Sequence, residues 1–334
     1  MSQKTIKNNN NEDQLLEIAL RPTRWEDYIG QEKVKKNLKL MMEAAKQRNE
    51  SCDHILFYGQ AGLGKTTLAH LIAKEMSVNI KTTSGPMLEK AGDIAAILTN
   101  LEPKEILFID EVHRINKLVE EVLYPALENR KLHLIIGKGP SARTISLDLP
   151  PFTLIAATTK INLLSGPFRS RFGATLKLDY YQIEDIEKII KRSSQILGVN
   201  ITDKAVNRLA KASRFTPRVA NRLLKRCRDY SQVHNKKVID EEVVTETLAM
   251  LEIDELGLEN TDRRLLEIII KKFNGGPVGL KTLAAALNEE AGTIEDVYEP
   301  FLMSLGFLNR TPNGRVVTAA AYKHLNLKQP TILV

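Results

Sequence analysis

The sequence predicts an α/β fold in which a parallel sheet is covered by helices on both faces, followed by a small helical domain and a third, three-helix domain closed by a pair of short strands. Three observations carry this. Runs that are apolar on both faces, HILFY at 54–58, ILFI at 106–109 and FTLIAA at 152–157, alternate with segments of helical periodicity, as parallel strands between helix layers require. From 183 to 252 the strand signal thins and apolar residues recur at helical spacing, as in Val206, Leu209, Ala210 and then Val219, Leu223, Leu224. Beyond LGLEN at 256–260, helices near 262–273, 280–287 and 294–303 lead into FLNRTPNGRVVT, strand, turn and strand, the pattern of a winged helix.

Taken in order, residues 1–14, with an Asn8 to Asn11 run, lack periodicity and are expected to form a flexible tail. Val34, Leu38, Met41, Met42 and Ala45 place a helix over Lys33 to Lys46. A strand at HILFY, a helix from Thr66 to Met76, a strand at ILFI, a helix near Leu118 to Leu127 and a strand at FTLIAA build the core, which TLKL completes. Between the second and third apolar runs, LHLIIG and TISLDL flank KGPSAR, and this predicts a projecting hairpin over about 132–147. The expected domains are 15–181, 182–257 and 258–327.

Composition sets the boundaries of function. With 334 residues, 43% hydrophobic and 27% charged, the chain is long enough for two or three domains and is neither disordered nor low in complexity. Cys52 and Cys227 support neither a disulfide framework nor a cysteine zinc site, and a reducing compartment follows. The opening MSQKTIKNNNNEDQ has no apolar targeting region and no stretch approaches the ~18 apolar residues of a membrane span, so a cytoplasmic protein without membrane attachment is expected. A net charge of +7 suits a polyanionic partner. Only 5% of residues are aromatic, which argues against stacking platforms for single strands and favours duplex.

Gly59-Gln60-Ala61-Gly62-Leu63-Gly64-Lys65-Thr66 matches G-x-x-x-x-G-K-[ST], directly after a strand and directly before a helix. In such a loop the glycines let backbone N–H groups face phosphates, the lysine reaches the β and γ oxygens, and Thr66 takes part in magnesium binding, with Thr67 beside the α-phosphate. ATP and Mg2+ are the expected ligands. The ILFI strand ends in Asp110-Glu111, where sheet ligands bind. Asp110 is expected at the metal and Glu111 at the attacking water. FTLIAATT brings Thr158 and Thr159 to the same edge; Thr158 is the nominated γ-phosphate sensor, although the strand pattern leaves open which of the two points inward.

Arg169 and Arg171 flank Ser170 ahead of TLKL with no acidic partner near them in sequence, and Arg171 fits an arginine finger, a group that implies an oligomer. From Lys204 to Lys237 eleven Lys or Arg face one acid, Asp229, and Arg214, Arg218, Arg222 and Arg226 recur every four residues, which reads as one basic helix face. Thr216-Pro217 opens that helix and puts Arg218 in its first turn, within reach of nucleotide.

Walker motifs, the threonine-ended strand, Arg171 and a helical lid carrying Arg218 together resemble the AAA+ ATPases. Longer phrases, among them LRPTRWEDYIGQEKV, TSGPMLEKAGDIAAILTNL, FIDEVHR, GKGPSARTISLDLPPFTLI, TPRVANRLLKR, DELGLENTDRRLLE and VYEPFLMSLGFLNRTPNGR, are similar to the RuvB family of branch-migration motors, from Leu20 to Leu325. The resemblance implies a homohexameric ATPase that works with RuvA on double-stranded DNA at Holliday junctions, while RuvC cuts them, in recombination and repair. It further implies that Leu20 and Arg21 line the adenine pocket, that Gly62, Gly64, Lys65, Thr66 and Thr67 hold phosphates and metal, that Tyr181 closes on the nucleotide, and that Glu128, Asn129 and Arg130 form another nucleotide-contacting segment. Arg171 would act in trans and Arg218 in cis, the hairpin would engage RuvA, and Arg310 and Arg315 on the wing would touch the DNA backbone. The third domain carries eight Lys or Arg and eight Asp or Glu over 258–327, so phosphate binding there depends on local placement. Departures from the family pattern are Gln60-Ala61 for Pro-Pro, Asn129-Arg130 for Asp-Phe, Lys160 for Arg and Ser170 for Asp. A nucleotide-switched DNA loader or origin binder, which shares the AAA+ core and winged helix, is the alternative.

Overall fold

The computed structural model describes residues 18–136 and 143–329, so the expected tail at 1–14 and the Gly139-Pro140 turn of the hairpin lie outside the described residues. Two compact units emerge from the packing: one runs to Ile196 and takes in Thr216–Asn221, the other holds Leu197–Phe215 and the chain from Arg222 onward.

The first unit is built on five parallel strands, β1 (Ile55–Tyr58), β2 (Ile80–Ser84), β3 (Ile106–Asp110), β6 (Thr153–Thr158) and β7 (Ala174–Lys177), in the order β2-β3-β6-β1-β7. Ile55 pairs with Ile155 on one side and Ala174 on the other, and Phe108 with Ile155, so the apolar runs seen in the sequence fill the centre of the sheet. Leu56, Leu107, Ile109, Leu154 and Ala156 pack on one face against Leu123, Ala126 and Leu127 of the helix Lys117–Asn129, whose alternating apolar face points inward. β2 was not among the expected strands. Its sequence, IKTTS, is polar because it lies at the sheet edge, where little of it is buried.

β4 (Lys131–Ile136) and β5 (Arg143–Asp148) pair antiparallel as a separate ribbon, with Leu132 opposite Leu147. All of β5 is exposed, including Ile145 and Leu147, so the ribbon presents an apolar stripe that the core does not use.

The second unit contains the helices Asp203–Lys211, Glu241–Met250 and, beyond Asn221, the remainder of Pro217–Val233, together with a short parallel pair, β8 (Asn200–Ile201) and β9 (Val238–Ile239), that the sequence had not announced. Its C-terminal part is the winged helix: Asn260–Phe273, Leu280–Leu287 and a third helix that passes from Ala291–Thr293 through a π-turn at Ile294–Tyr298 into Glu299–Ser304, then β10 (Leu308–Thr311) and β11 (Gly314–Val317) with Arg310 opposite Arg315. A closing helix, Ala319–His324, adds Ala321 and Tyr322 to a core of Leu265, Leu266, Ile269, Leu283, Phe301 and Leu302.

The basic run does not form one helix face. Arg214 precedes the helix in a left-handed conformation, φ 53°, and its guanidinium donates to buried Asp262 at 2.9 Å while covering the ring of Phe301 at 4.1 Å. Arg222 pairs with Glu259, and Arg226 and Arg228 both pair with Asp229. The four-residue spacing was real, but Pro217 can only start a helix, so the first arginine of the series falls outside it. These arginines are bound up in folding the second unit.

Candidate functional site

A single cleft of the first unit gathers most of the expected residues at the C-terminal ends of β1, β3 and β6, which are neighbours in the sheet. It is lined by Leu20 and Arg21, by Gly62, Gly64, Lys65, Thr66 and Thr67, by Asp110 and Glu111, by Thr159 and Tyr181, and by Arg218.

The loop between β1 and the helix Lys65–Glu75 owes its shape to its glycines. Gly64 caps the helix at φ 97°, and a Cβ there would sit 2.8 Å from the Tyr28 hydroxyl; Gly59, at φ 142°, would drive one into the Leu178 carbonyl at 2.4 Å. No side chain caps the helix, which leaves the N–H groups of its first turn facing the cleft. Lys65 is 8% exposed, and its Nζ donates to the carbonyls of Gly59 and Gln60, both at 2.7 Å. Burial pushes this ammonium down to about 8, with Asp110 working in the opposite direction and Arg218 adding to the fall.

Two tyrosines brace the loop from outside. Tyr28 donates to the Leu63 carbonyl, and the Tyr181 hydroxyl lies 3.1 Å from that of Tyr28 and 3.3 Å from the same carbonyl. Burial raises both phenols, Tyr181 to about 12, so both are neutral donors. Tyr28 was not among the expected site residues, because its partner lies 35 residues away. Arg192, also unexpected, donates to the Leu20 carbonyl at 2.9 Å and fastens the segment that carries Leu20 and Arg21.

At the end of β3, Asp110 accepts from the Thr66 hydroxyl at 3.2 Å and from the Glu111 N–H at 2.8 Å. Glu111 turns into the left-handed region, φ 48°, and its half-exposed carboxylate meets Arg114 at 3.1 Å. Among the described residues no group of three or more His, Cys, Asp or Glu is placed to hold a metal by itself. One carboxylate and one hydroxyl, 3.2 Å apart beside a phosphate loop, do fit a hard cation that takes its other ligands from phosphate and water.

The two threonines separate. Thr158 is fully buried, its Oγ1 accepting from the Lys160 N–H at 2.9 Å and lying 3.0 Å from His113 Nδ1, whereas Thr159 is exposed and lines the cleft. Of the two, the structure brings Thr159 and not the nominated Thr158 to the cleft: successive residues point to opposite faces, and only the second one lines it.

Arg171 does not line this cleft. It lies with Glu128, Asn129, Arg130 and Ser170 around a second depression of the first unit. No acidic partner lies near it in sequence, and the fold supplies a distant one: Nη2 meets Glu128 Oε1 at 3.0 Å across 43 positions. The segment Glu128–Arg130 is thus grouped with Arg171 and not with the phosphate loop. On the wing, Arg315 is only 12% exposed and donates to Glu299 at 2.6 Å, while half-exposed Arg310 meets Glu299 at 2.5 Å and Glu295 at 3.1 Å. Glu299, 1% exposed, holds Arg310 above its ordinary value.

Comparison with known proteins agrees with this architecture from one end of the described chain to the other. Residues 20–178 match the Holliday junction DNA helicase RuvB P-loop domain, 181–254 the RuvB AAA lid domain and 255–326 the RuvB C-terminal winged helix domain. The chain belongs to the RuvB family. Among solved structures, the Thermotoga maritima RuvB Holliday junction branch migration motor is 51% identical with a TM-score of 0.86, over 93% of this chain and 100% of that one. A single-substitution variant of the Thermotoga maritima RuvB protein is 50% identical at the same TM-score and the same coverage of both chains. RuvB-family membership carries with it an ATP-driven DNA helicase, a P-loop nucleotide site and an AAA+ core with lid and winged helix, and it disfavours the loader reading. No helix among the described residues is long and apolar enough to cross a membrane.

The two threonines give a direct test of the site. Thr158→Val should cost about 1 to 3 kcal/mol in urea unfolding, because the buried hydroxyl's bonds to the His113 ring and the Lys160 N–H are lost. Thr159→Val should leave the unfolding midpoint in place and lower ATP turnover. The reverse pattern would return the sensor role to Thr158.

Proposed function

We propose that this chain is the ATPase subunit of a homohexameric motor that, with RuvA, drives branch migration of Holliday junctions along double-stranded DNA, with RuvC acting on the same junctions, in cytoplasmic recombination and repair. The observation that carries this reading is the meeting of the phosphate loop, the Asp110-Glu111 strand end and Thr159 in one cleft of a chain whose RuvB likeness runs over residues 20–326. The working division is 15–181 for the large ATPase domain, 182–257 for the small one and 258–327 for the DNA-binding head.

In this proposal ATP lies with its adenine against Leu20 and Arg21 and its phosphates over Gly62 to Thr67. Lys65 exchanges the two loop carbonyls that it now bonds for β and γ oxygens, a small movement for an ammonium already at the loop's focus. Thr66 and Asp110 hold Mg2+, which when bound neutralises charge shared by the β and γ phosphates. Glu111 takes the proton of the attacking water as the bond from the γ-phosphorus to the departing ADP oxygen breaks, and Thr159 fixes that water's position. Arg218, in the first turn of its helix and against Gly62, senses the phosphates in cis. The position of Arg171 outside its own subunit's cleft supports its action on a neighbour's γ-phosphate, with Glu128 to Arg130 on the same face. Arg310 takes the DNA backbone, while Arg315, largely buried, holds the wing strand that presents it.

The reading is tested by ATP-dependent dissociation of a labelled synthetic four-way junction with RuvA present. Dissociation is expected to need ATP and RuvA and to vanish in Lys65→Ala; steady DNA-stimulated ATP turnover without any junction movement would favour a switch or loader. For the wing, Arg310→Ala should weaken duplex binding for all sequences and flatten its salt dependence. Glu295→Gln should strengthen binding severalfold at low salt, since Glu295 competes with phosphate for the same guanidinium. Opposite signs in a titration of labelled duplex would remove Arg310 from the interface.

A further inference from the structure

The helix Lys117–Asn129 carries Glu120, Tyr124 and Glu128 at intervals of four, hence on one face, and all three handle the segment that ends in Arg171. The guanidinium carbon of Arg171 lies 4.3 Å from the centroid of the Tyr124 ring. One edge of the guanidinium donates to the Pro167 carbonyl, another meets Glu128 at 3.0 Å, and Nε is buried without a hydrogen-bond partner. With the side chain only 17% exposed, the aromatic face helps to set the plane of this arginine.

The ring is itself held in place. Its hydroxyl donates to Glu120 Oε1 at 2.5 Å and lies 3.0 Å from Ser165 Oγ, which also bonds Glu120. Ser165 in turn caps the short turn Gly166–Arg169 by accepting from the Phe168 N–H at 3.1 Å. Phe168 packs against the ring at 6.3 Å, and Phe172 stands edge-on to Phe168 at 5.1 Å. The platform and the loop that bears the arginine are thus one hydrogen-bonded body.

Building on the trans action proposed for Arg171, we infer that Tyr124 is a positioning residue for this arginine finger. Its ring fixes the direction in which the guanidinium leaves the subunit, and Glu128 is the counter-ion that a neighbouring subunit's phosphate displaces. Tyr124 does not line its own subunit's cleft; it acts through Arg171. A finger contributes only when its charge is already aimed, so a loosened one loses rate without losing nucleotide.

The test is ATP turnover of the assembled protein with DNA. Tyr124→Leu should lower kcat at least about tenfold, the order expected for a misplaced catalytic group, with KM and nucleotide binding unchanged. Tyr124→Phe, which keeps the ring, should stay within about threefold of the parent, because only the hydroxyl's net contribution is lost. Tyr124→Leu combined with Arg171→Ala should be no slower than Arg171→Ala alone. Mixed with Lys65→Ala subunits, which have a sound finger and a disabled phosphate loop, Tyr124→Leu should regain part of its turnover, as Arg171→Ala should. Parental turnover in Tyr124→Leu, additive losses in the double variant, or equal losses in the Phe and Leu variants would each overturn the positioning role while leaving Arg171 in place. Failure of Arg171→Ala to regain turnover in mixed rings would overturn the trans action itself, and the role of Tyr124 with it.

Discussion

Everything at the nucleotide site is organised around one buried ammonium, that of Lys65, held over the mouth of a parallel sheet by two carbonyls of its own loop. An ammonium that is 8% exposed needs partners on every side. The loop curls to supply two, the glycines at 59 and 64 make that curl possible, and Asp110 adds a negative charge from the next strand but one. The strand order does the rest: β1, β6 and β3 lie side by side, so a loop, a threonine and a pair of carboxylates from distant parts of the chain end at the same edge.

What the sequence made legible is what is local. The phosphate loop and Asp110-Glu111 are readable because a few consecutive residues determine the backbone path and the strand end. The central strands are readable because burial on both faces leaves a continuous apolar run. β2 escaped because an edge strand has no such requirement, and Tyr28 because its value lies in a carbonyl 35 residues away. The choice between Thr158 and Thr159 depends on the pleat at the strand's last residue, a matter of geometry that residue types do not encode. The pairing of Arg171 with Glu128 and Tyr124 likewise appears only once helix and loop are packed together.

Charge shows the same distinction. A net +7 suggested a polyanionic partner and the dense basic run a single helix face, yet Arg214, Arg222, Arg226 and Arg228 are paired with carboxylates of their own unit, and one of them lies over an aromatic ring. On the wing, Glu299 and Glu295 hold both arginines. Arginine suits this work because its planar fork binds a carboxylate and an aromatic face at once. The same property would let half-exposed Arg310 exchange its exposed partner, Glu295, for another anion, as the proposed wing contact requires.

The central claim is that holding nucleotide and cleaving it belong to different groups in the same cleft, Lys65 to the first and Glu111 to the second. It is tested most directly by measuring ATP binding and single-turnover hydrolysis side by side in Lys65→Ala and Glu111→Gln. The account predicts that Lys65→Ala loses binding, whereas Glu111→Gln binds ATP as the parent does and retains it uncleaved. Equal loss of binding in both variants, or steady hydrolysis by Glu111→Gln, would contradict it.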